Sequence, residues 1–201
     1  MLDFEMENMI KKLYNKATLP ISMILALKKY GGIWGLKEHL AKADIPNERL
    51  LAIYDAYFRK TGSWIGYNSQ FDGVPCFPHD CYGIFISGGT RIGRNAVIFQ
   101  HVTIGSNTLN DSNRTGAPII GEAVYIGAGA RIIGGITIGN NCRIGANAVV
   151  YKDMPPNSVA VQSPTRMIQK DNLDNRYYSQ RKGKWVYFRD GAWIEDQYKE
   201  I

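Results

Sequence analysis

Three histidines carry the side chains that most readily exchange a proton near neutral pH: His39, His79 and His101. His39 follows Glu38 within a helical pattern, which is typical of a solvated surface position. His79 lies just before a regular sequence repeat begins, and His101 lies inside that repeat. His79 and His101 are therefore the candidates for a general base, with His79 preferred.

The residues around His79 also raise the question of a metal site. Cys76, His79 and Cys81 place three soft ligands within six residues, whereas a structural zinc site needs four. No second cysteine or histidine pair completes the set, and Cys142 falls on an inward position of the repeat. We therefore expect no metal, and we expect the three cysteines to be buried, unreactive thiols.

An aliphatic residue at every sixth position defines the elements that must hold these side chains. The positions are Ile86, Ile92, Ile98, Ile104, Ile120, Ile126, Ile132, Ile138, Ile144 and Val150. A period of six fits neither an amphipathic helix nor an ordinary alternating strand. It predicts a solenoid in which each six-residue unit is one short strand and one tight turn. The residues four places later, mostly small, are predicted to fill the second inward position: Thr90, Ala96, Val102, Val124, Ala130, Ile136, Cys142 and Ala148.

One stretch inside the repeat loses the six-residue register. Residues 106–118 are polar and rich in turn formers, so the solenoid must extrude them as a surface loop. The repeat itself is predicted to occupy residues 63–168, starting near Trp64 in degenerate form.

The flanking segments are predicted to be helical and hairpin-forming. Residues 1–62 form a short helical segment, in which Asn47 is a candidate N-cap and Gly31, Gly32 and Gly35 end an earlier helix near Tyr30. Residues 169–201 form an extension, in which Asp190-Gly191 between aromatic runs predicts a β-hairpin. The fold class is therefore mainly β.

The repeat resembles the hexapeptide-repeat acyltransferases, which fold as a left-handed parallel β-helix. The segments Gly83–Ser87, Ile98–Gly105, Tyr125–Arg131 and Pro164–Arg166 are similar to the serine acetyltransferase branch, which also contains capsular polysaccharide O-acetyltransferases. The resemblance covers about half of the chain. It implies acetyl transfer from acetyl-CoA to a hydroxyl group, and a homotrimer.

The resemblance also implies roles for individual residues. His79 matches the family's catalytic base, with His101 as its rival. A carboxylate usually orients that base, but its expected position in this chain falls near Trp64. Asp72 or Asp80 is then the candidate to orient His79, and both are also candidates for binding the acceptor substrate.

The donor is expected to lie against short side chains of stacked coils. These are Gly105, Ala128 and Ala146, with Arg131 and Arg166 available for the nucleotide phosphates. Gln162 stands where relatives place glycine, which is a departure from the family pattern.

The sequence departs further from the family pattern in the residues that recognise the acceptor substrate. Serine acetyltransferases carry Arg-His-Pro in the extruded loop for substrate recognition, so the resemblance makes Arg114 a candidate substrate-binding residue. This chain lacks the histidine of that motif, and its N-terminal helical segment is short. These departures favour a sugar hydroxyl of a surface polysaccharide, with serine O-acetylation in cysteine biosynthesis as the alternative. A non-catalytic β-helix scaffold is a second alternative.

Net charge and cysteine content indicate the type of ligand and the cellular compartment to expect. The chain of 201 residues carries a net charge of +6, which favours an anionic ligand or a neighbouring membrane surface without requiring nucleic acid. The odd number of cysteines, and an N-terminus unlike a signal peptide, favour the cytoplasm.

Overall fold

The computed structural model describes residues 21–162, 176–181, 183–189 and 192–196. They belong to two compact units, Met1–Ser163 and Pro164–Ile201. Within the described ranges, no helix is long and apolar enough to span a bilayer.

The described part of the first unit, from residue 21 onward, begins with three helices. Residues 21–30 are helical (α1), and α2 (Ile33–Ala41) and α3 (Glu48–Arg59) follow. Gly31 and Gly32 separate α1 from α2 with positive φ angles of 71° and 102°. The predicted break at Gly35 is wrong: this residue lies inside α2, where a Cβ atom would come within 1.8 Å of the Tyr30 carbonyl oxygen. Asn47 caps α3 as predicted, because its Oδ1 atom accepts a hydrogen bond from the Leu50 amide at 3.1 Å.

Short parallel strands then wind into a β-helix with three faces. The strands are β1 (Trp64–Ile65), β2 (Gln70–Phe71), β3 (Phe85–Ile86), β4 (Arg91–Ile92), β5 (Val97–Ile98), β6 (Thr103–Gly105), β7 (Ile119–Ile120), β8 (Tyr125–Ile126), β9 (Arg131–Ile133), β10 (Thr137–Ile138), β11 (Arg143–Ile144), β12 (Val149–Val150) and β13 (Val159–Ala160). The first sheet is β1-β3-β6-β9-β12, the second is β2-β4-β7-β10, and the third is β5-β8-β11-β13. Successive strands along the chain belong to different sheets, so each sheet is one face of the coil.

The core of the β-helix consists of the residues that the repeat places inward. Ile86, Ile98, Ile104, Ile126 and Ile144 are completely buried. The predicted second inward positions are also buried, from Thr90 at 0% exposure to Ala148 at 2%. The six-residue period therefore identified both layers of the core, and the predicted β-helix is confirmed.

Two insertions interrupt the coils. Ile65 pairs with Ile86, 21 residues later, whereas Ile86 pairs with Ile104, 18 residues later. The three additional residues lie in the turn 78–83, which contains His79. The larger insertion precedes Ile132, which pairs with Ile104 across 28 residues and accommodates the loop 106–118.

The second unit contains a three-stranded antiparallel sheet. Its strands are β14 (Tyr177–Arg181), β15 (Lys184–Arg189) and β16 (Ala192–Glu195), in the order β14-β15-β16. β15 and β16 form the predicted hairpin, although Asp190 and Gly191 lie outside the described residues. β14 was not predicted; it adds a third strand to the hairpin.

Candidate functional site

The turns that connect the third sheet to the first sheet stack along one edge of the β-helix. We call this the histidine edge, and its turns are residues 78–83, 100–101, 128–129 and 146–147. Backbone hydrogen bonds join each turn to the next: His101 N to Tyr82 O at 2.9 Å, Gly129 N to Gln100 O at 3.0 Å, and Asn147 N to Ala128 O at 2.8 Å. The edge therefore brings together residues that are far apart in the sequence.

His79 is exposed on this edge, and its ring is held by the turn above it. The His79 Nδ1 atom lies 2.8 Å from the Gln100 Oε1 atom, and Phe99 meets the imidazole edge-on at 5.5 Å between ring centroids. Because an amide oxygen only accepts hydrogen bonds, this contact is a hydrogen bond in the tautomer that carries the proton on Nδ1. The Nε2 atom then carries the lone pair, which is the tautomer that a general base requires.

Gln100 takes the orienting role that was expected of a carboxylate. Asp72 follows β2 at a different corner of the coil, and Asp80 is an exposed turn residue with a φ of 54°. Among the described residues, neither carboxylate makes a hydrogen bond to the His79 ring. No signal in the sequence pointed to Gln100, because it lies 21 residues beyond His79. The two residues come into contact only because they occupy successive turns of the same edge.

His101 lies on the same edge and packs against a glycine of the preceding turn. The exposed His101 has a φ of 60°, and a Cβ atom built on Gly83 would lie 2.2 Å from its Nδ1 atom. Gly83 itself has a φ of 63°, so both the conformation and the close ring contact require glycine there. The second candidate histidine is thereby fixed beside the turn that carries the first.

The proposed donor-binding residues divide between two edges. Ala128 and Ala146 lie in stacked turns of the histidine edge, and Arg131 follows on β9, donating from Nη1 to the Gly129 carbonyl at 3.3 Å. Gly105 pairs with Ile133 at the opposite margin of the first sheet. Arg166 lies outside the described residues. The structure therefore separates Gly105 from the two alanines.

The loop 106–118 contacts the coil through Arg114, whose side chain forms an ion pair and whose carbonyl accepts a hydrogen bond from the Gly135 amide at 2.9 Å. The Arg114 guanidinium lies 2.7 Å from the Asp153 carboxylate, which also accepts a hydrogen bond from the Thr137 amide at 2.8 Å. The Thr137 N–H and the Arg114 guanidinium lower the pKa of the Asp153 carboxyl. Arg114, the predicted substrate-binding residue, is thus engaged in holding the loop.

The three cysteines differ in their surroundings, which corrects the expectation that all are buried. Cys76 is exposed, Cys81 is half-buried and Cys142 is buried. Burial raises the pKa of the Cys81 thiol to about 11, so this thiol is neutral at physiological pH. The described part of the chain contains no group of three metal-ligating side chains.

Comparisons with known proteins agree with this geometry. The family model "Bacterial transferase hexapeptide (six repeats)" matches residues 117–152. The chain is 32% identical to a serine acetyltransferase of Staphylococcus xylosus over 151 residues, which cover 72% of this chain and 68% of the relative. It is 40% identical to a serine acetyltransferase of Helicobacter pylori over 89 residues, covering 44% of this chain and 51% of the relative.

A solved structure shares the fold. Serine acetyltransferase isoform 3 from Entamoeba histolytica, in complex with cysteine, superimposes with a TM-score of 0.53 at 24% identity, covering 69% of this chain and 50% of the other. The chain spans about half the length of the first curated relatives that it matches. The length of the alignment with the staphylococcal relative, together with the repeat, the three-faced coil and the match to the family model, places this chain among the left-handed β-helix hexapeptide-repeat transferases, in the branch whose relatives are serine acetyltransferases.

Proposed function

We propose that this protein transfers an acetyl group from acetyl-CoA to the hydroxyl group of serine. The sequence departures favoured a sugar hydroxyl, but the relatives that match the chain are named serine acetyltransferases and support the alternative. The observation that carries transfer to a hydroxyl group is the 2.8 Å contact between His79 and Gln100, because it leaves the second nitrogen of an exposed histidine able to accept a proton. The names of the relatives carry the choice of serine as the acceptor.

In this mechanism, His79 is the general base. Its Nε2 atom takes the proton from the acceptor hydroxyl as that oxygen attacks the acetyl carbonyl carbon. The C–S bond of the resulting tetrahedral adduct then breaks, and the imidazolium returns the proton to the departing CoA thiolate. Gln100 keeps the imidazole in the required tautomer and orientation, and Phe99 limits its rotation. Unlike a carboxylate, the neutral Gln100 amide places no negative charge beside the imidazolium that forms.

The histidine edge suits the donor. Acetyl-CoA supplies the acetyl group as a thioester, which a hydroxyl attacks more readily than a free carboxylate. Ala128 is half-buried and Ala146 is exposed, so the edge offers backbone with short side chains beside an exposed Arg131. A long flexible chain can lie close to such a surface, and the guanidinium can pair with phosphate.

The proposal includes a homotrimer. Trp64, Phe85 and Val149 project from the outer face of the first sheet with exposures of 41%, 47% and 57%. Thr103 and Arg131 stand between Phe85 and Val149 in the same row. A face with several large apolar side chains is typical of a surface that a second subunit covers. In a closed ring of three, each histidine edge faces a neighbouring subunit.

A second acceptor class is supported by the loop 106–118. The loop has no histidine, and Arg114 is paired with Asp153 rather than directed at a ligand. A site without those two recognition groups suits the neutral hydroxyl of a sugar better than an amino acid. A glycan is therefore the competing acceptor in the experiment.

Release of the CoA thiol with a panel of acceptors tests the proposal. L-serine should support turnover with a kcat/KM at least about tenfold above that with a nucleotide sugar or a capsule oligosaccharide. L-alanine, which lacks the hydroxyl group, is the matched control and should give no release above hydrolysis. If only the oligosaccharide supported turnover, the acceptor would be a glycan and not serine. If no acceptor caused release of CoA, the protein would be a non-catalytic scaffold.

A further inference from the structure

A cavity of about 350 Å³ lies between α2 and the first coil, and none of its lining residues belongs to the histidine edge. We call it the α2 cavity. Its walls include the rings of Trp34 and Phe71, whose centroids are 5.9 Å apart, and the backbone of Ser69. Lys37 and Lys42 contribute the cations of the lining, and Glu38 and Asp72 contribute the anions. A concave site with aromatic walls and a few polar groups is the usual form of a small-molecule site.

The most unusual group in this cavity is the ammonium of Lys37. The residue is only 5% exposed, and its Nζ atom donates to the Ser69 carbonyl and lies 4.4 Å from the centre of the Phe71 ring. An ammonium has three N–H donors. In the described part of the chain, the Ser69 carbonyl is its only hydrogen-bond acceptor, and no carboxylate lies within ion-pair distance of it.

A buried charge with so little compensation is costly to the folded protein. Burial lowers the pKa of Lys37 to about 8, although the nearby Glu38 opposes this change. Proteins normally pair buried charges with an opposite charge and several hydrogen bonds. Lys37 therefore faces the cavity with donors that an acceptor from outside the chain can use.

We propose that the α2 cavity binds a small monocarboxylate with a flat apolar body, whose carboxylate accepts hydrogen bonds from the Lys37 ammonium. The body of the ligand lies against Trp34 and Phe71. This site is separate from the histidine edge and does not depend on the proposed acetyl transfer.

The charges of the lining favour a single negative charge. Lys37 and Lys42 are offset by Glu38 and Asp72, so the lining as a whole is close to neutral. The two carboxylates of the lining would repel a dianion such as phosphate about twice as strongly as a monocarboxylate, whose single charge the buried Lys37 ammonium balances. The aromatic walls then add apolar contact that an inorganic anion cannot make.

Benzoate and its neutral analogue benzamide are suitable probes. Benzoate should raise the melting temperature of the wild-type protein in a saturable manner, and benzamide should not. Lys37→Met removes the charge but keeps the volume, and should weaken the apparent affinity for benzoate at least about tenfold, because a charge-assisted hydrogen bond is lost. Lys28→Met, at an exposed lysine of α1 that does not line the cavity, should retain the wild-type response.

Two further variants show whether benzoate binds in the α2 cavity itself. Ala41→Phe fills the cavity from an exposed position and should abolish the response even if Lys37→Met folds poorly. His79→Ala should keep it, because His79 does not line the cavity. The proposal is overturned if benzoate has no effect on the wild type, if benzamide acts equally, if Lys37→Met and Ala41→Phe respond fully, or if His79→Ala alone loses the response.

Discussion

The Nδ1 atom of His79 lies 2.8 Å from the Oε1 atom of Gln100, and this contact joins two successive turns of the histidine edge. Gln100 also accepts a hydrogen bond from the Gly129 amide through its backbone carbonyl, at 3.0 Å. The backbone of Gln100, the residue that orients His79, is therefore fixed by a hydrogen bond from the following turn. The orientation of the base depends on the register of three coils.

Replacing Gln100 by alanine should lower kcat while leaving the KM for acetyl-CoA close to the wild-type value. The expected loss is about 10- to 100-fold, because a misdirected base loses most of the benefit of its position. Steady-state kinetics of CoA release measures both constants. Gln70→Ala, at an exposed glutamine on the second sheet, is the control. An unchanged kcat in Gln100→Ala would show that the contact does not position the base.

Gly83→Ala should destabilise the protein more than Gly62→Ala. Both glycines have φ angles near +65°, so both changes cost about 1–2 kcal/mol of left-handed strain. At Gly83 the new Cβ atom also meets the His101 ring, whereas nothing lies within 4 Å at Gly62. Overpacking should add about 1–3 kcal/mol to the loss of unfolding free energy at Gly83.

A double variant separates the backbone strain from the overpacking. Gly83→Ala combined with His101→Ala should be destabilised only about as much as Gly62→Ala, as measured by urea unfolding. If the double variant were no more stable than Gly83→Ala, contact with His101 would not be the cause.

The fold was predictable because the aliphatic residue at every sixth position is buried in the core of the coil. Ile86 and Ile104 are buried wherever a coil of this kind closes, so their spacing alone indicated the architecture. The contact between His79 and Gln100 was not predictable in the same way. It depends on the three-residue insertion before β3, which shifts His79 relative to the next turn. The burial of Lys37 was likewise hidden, because a lysine on a short helix is usually solvated.

Asp153→Asn should loosen the attachment of the loop 106–118 to the coil, where the hydrogen bond from the Gly135 amide to the Arg114 carbonyl remains. The change removes the charge that pairs with Arg114, and it replaces a carboxylate oxygen that accepts from the Thr137 amide. Hydrogen exchange followed by mass spectrometry should show faster exchange in the loop, with Asp111→Asn in the loop itself as the control. Equal exchange in the two variants would mean that the ion pair does not hold the loop.

Protonation of Asp153 in strong acid should remove its contribution to the stability of the wild type. Because the pKa of Asp153 is lowered in the folded protein, its contribution to stability is present above the ordinary carboxyl pKa of 3.8. That contribution is lost as the pH falls through the lowered value. The difference in stability between the wild type and Asp153→Asn should therefore shrink in strong acid.

Lys37 should make stability rise with pH in the alkaline range. Its pKa is about 8 in the folded protein and 10.5 as the reference, so the unfolded chain binds more protons between these values. The stability of the wild type relative to Lys37→Met should therefore increase from about pH 8 to about pH 10.5. Denaturant unfolding at several pH values measures this difference. A difference that stays constant over this range would contradict the burial of a charged amine.

The most direct test of His79 as the general base is the rate of CoA release with L-serine in three single variants. His79→Ala should lower kcat by ~10²–10⁴-fold with acetyl-CoA binding retained. His101→Ala should cost less, and His39→Ala, at an exposed histidine on α2, should match the wild type. Activity that survives in His79→Ala but is abolished in His101→Ala would contradict the account and assign the base to His101.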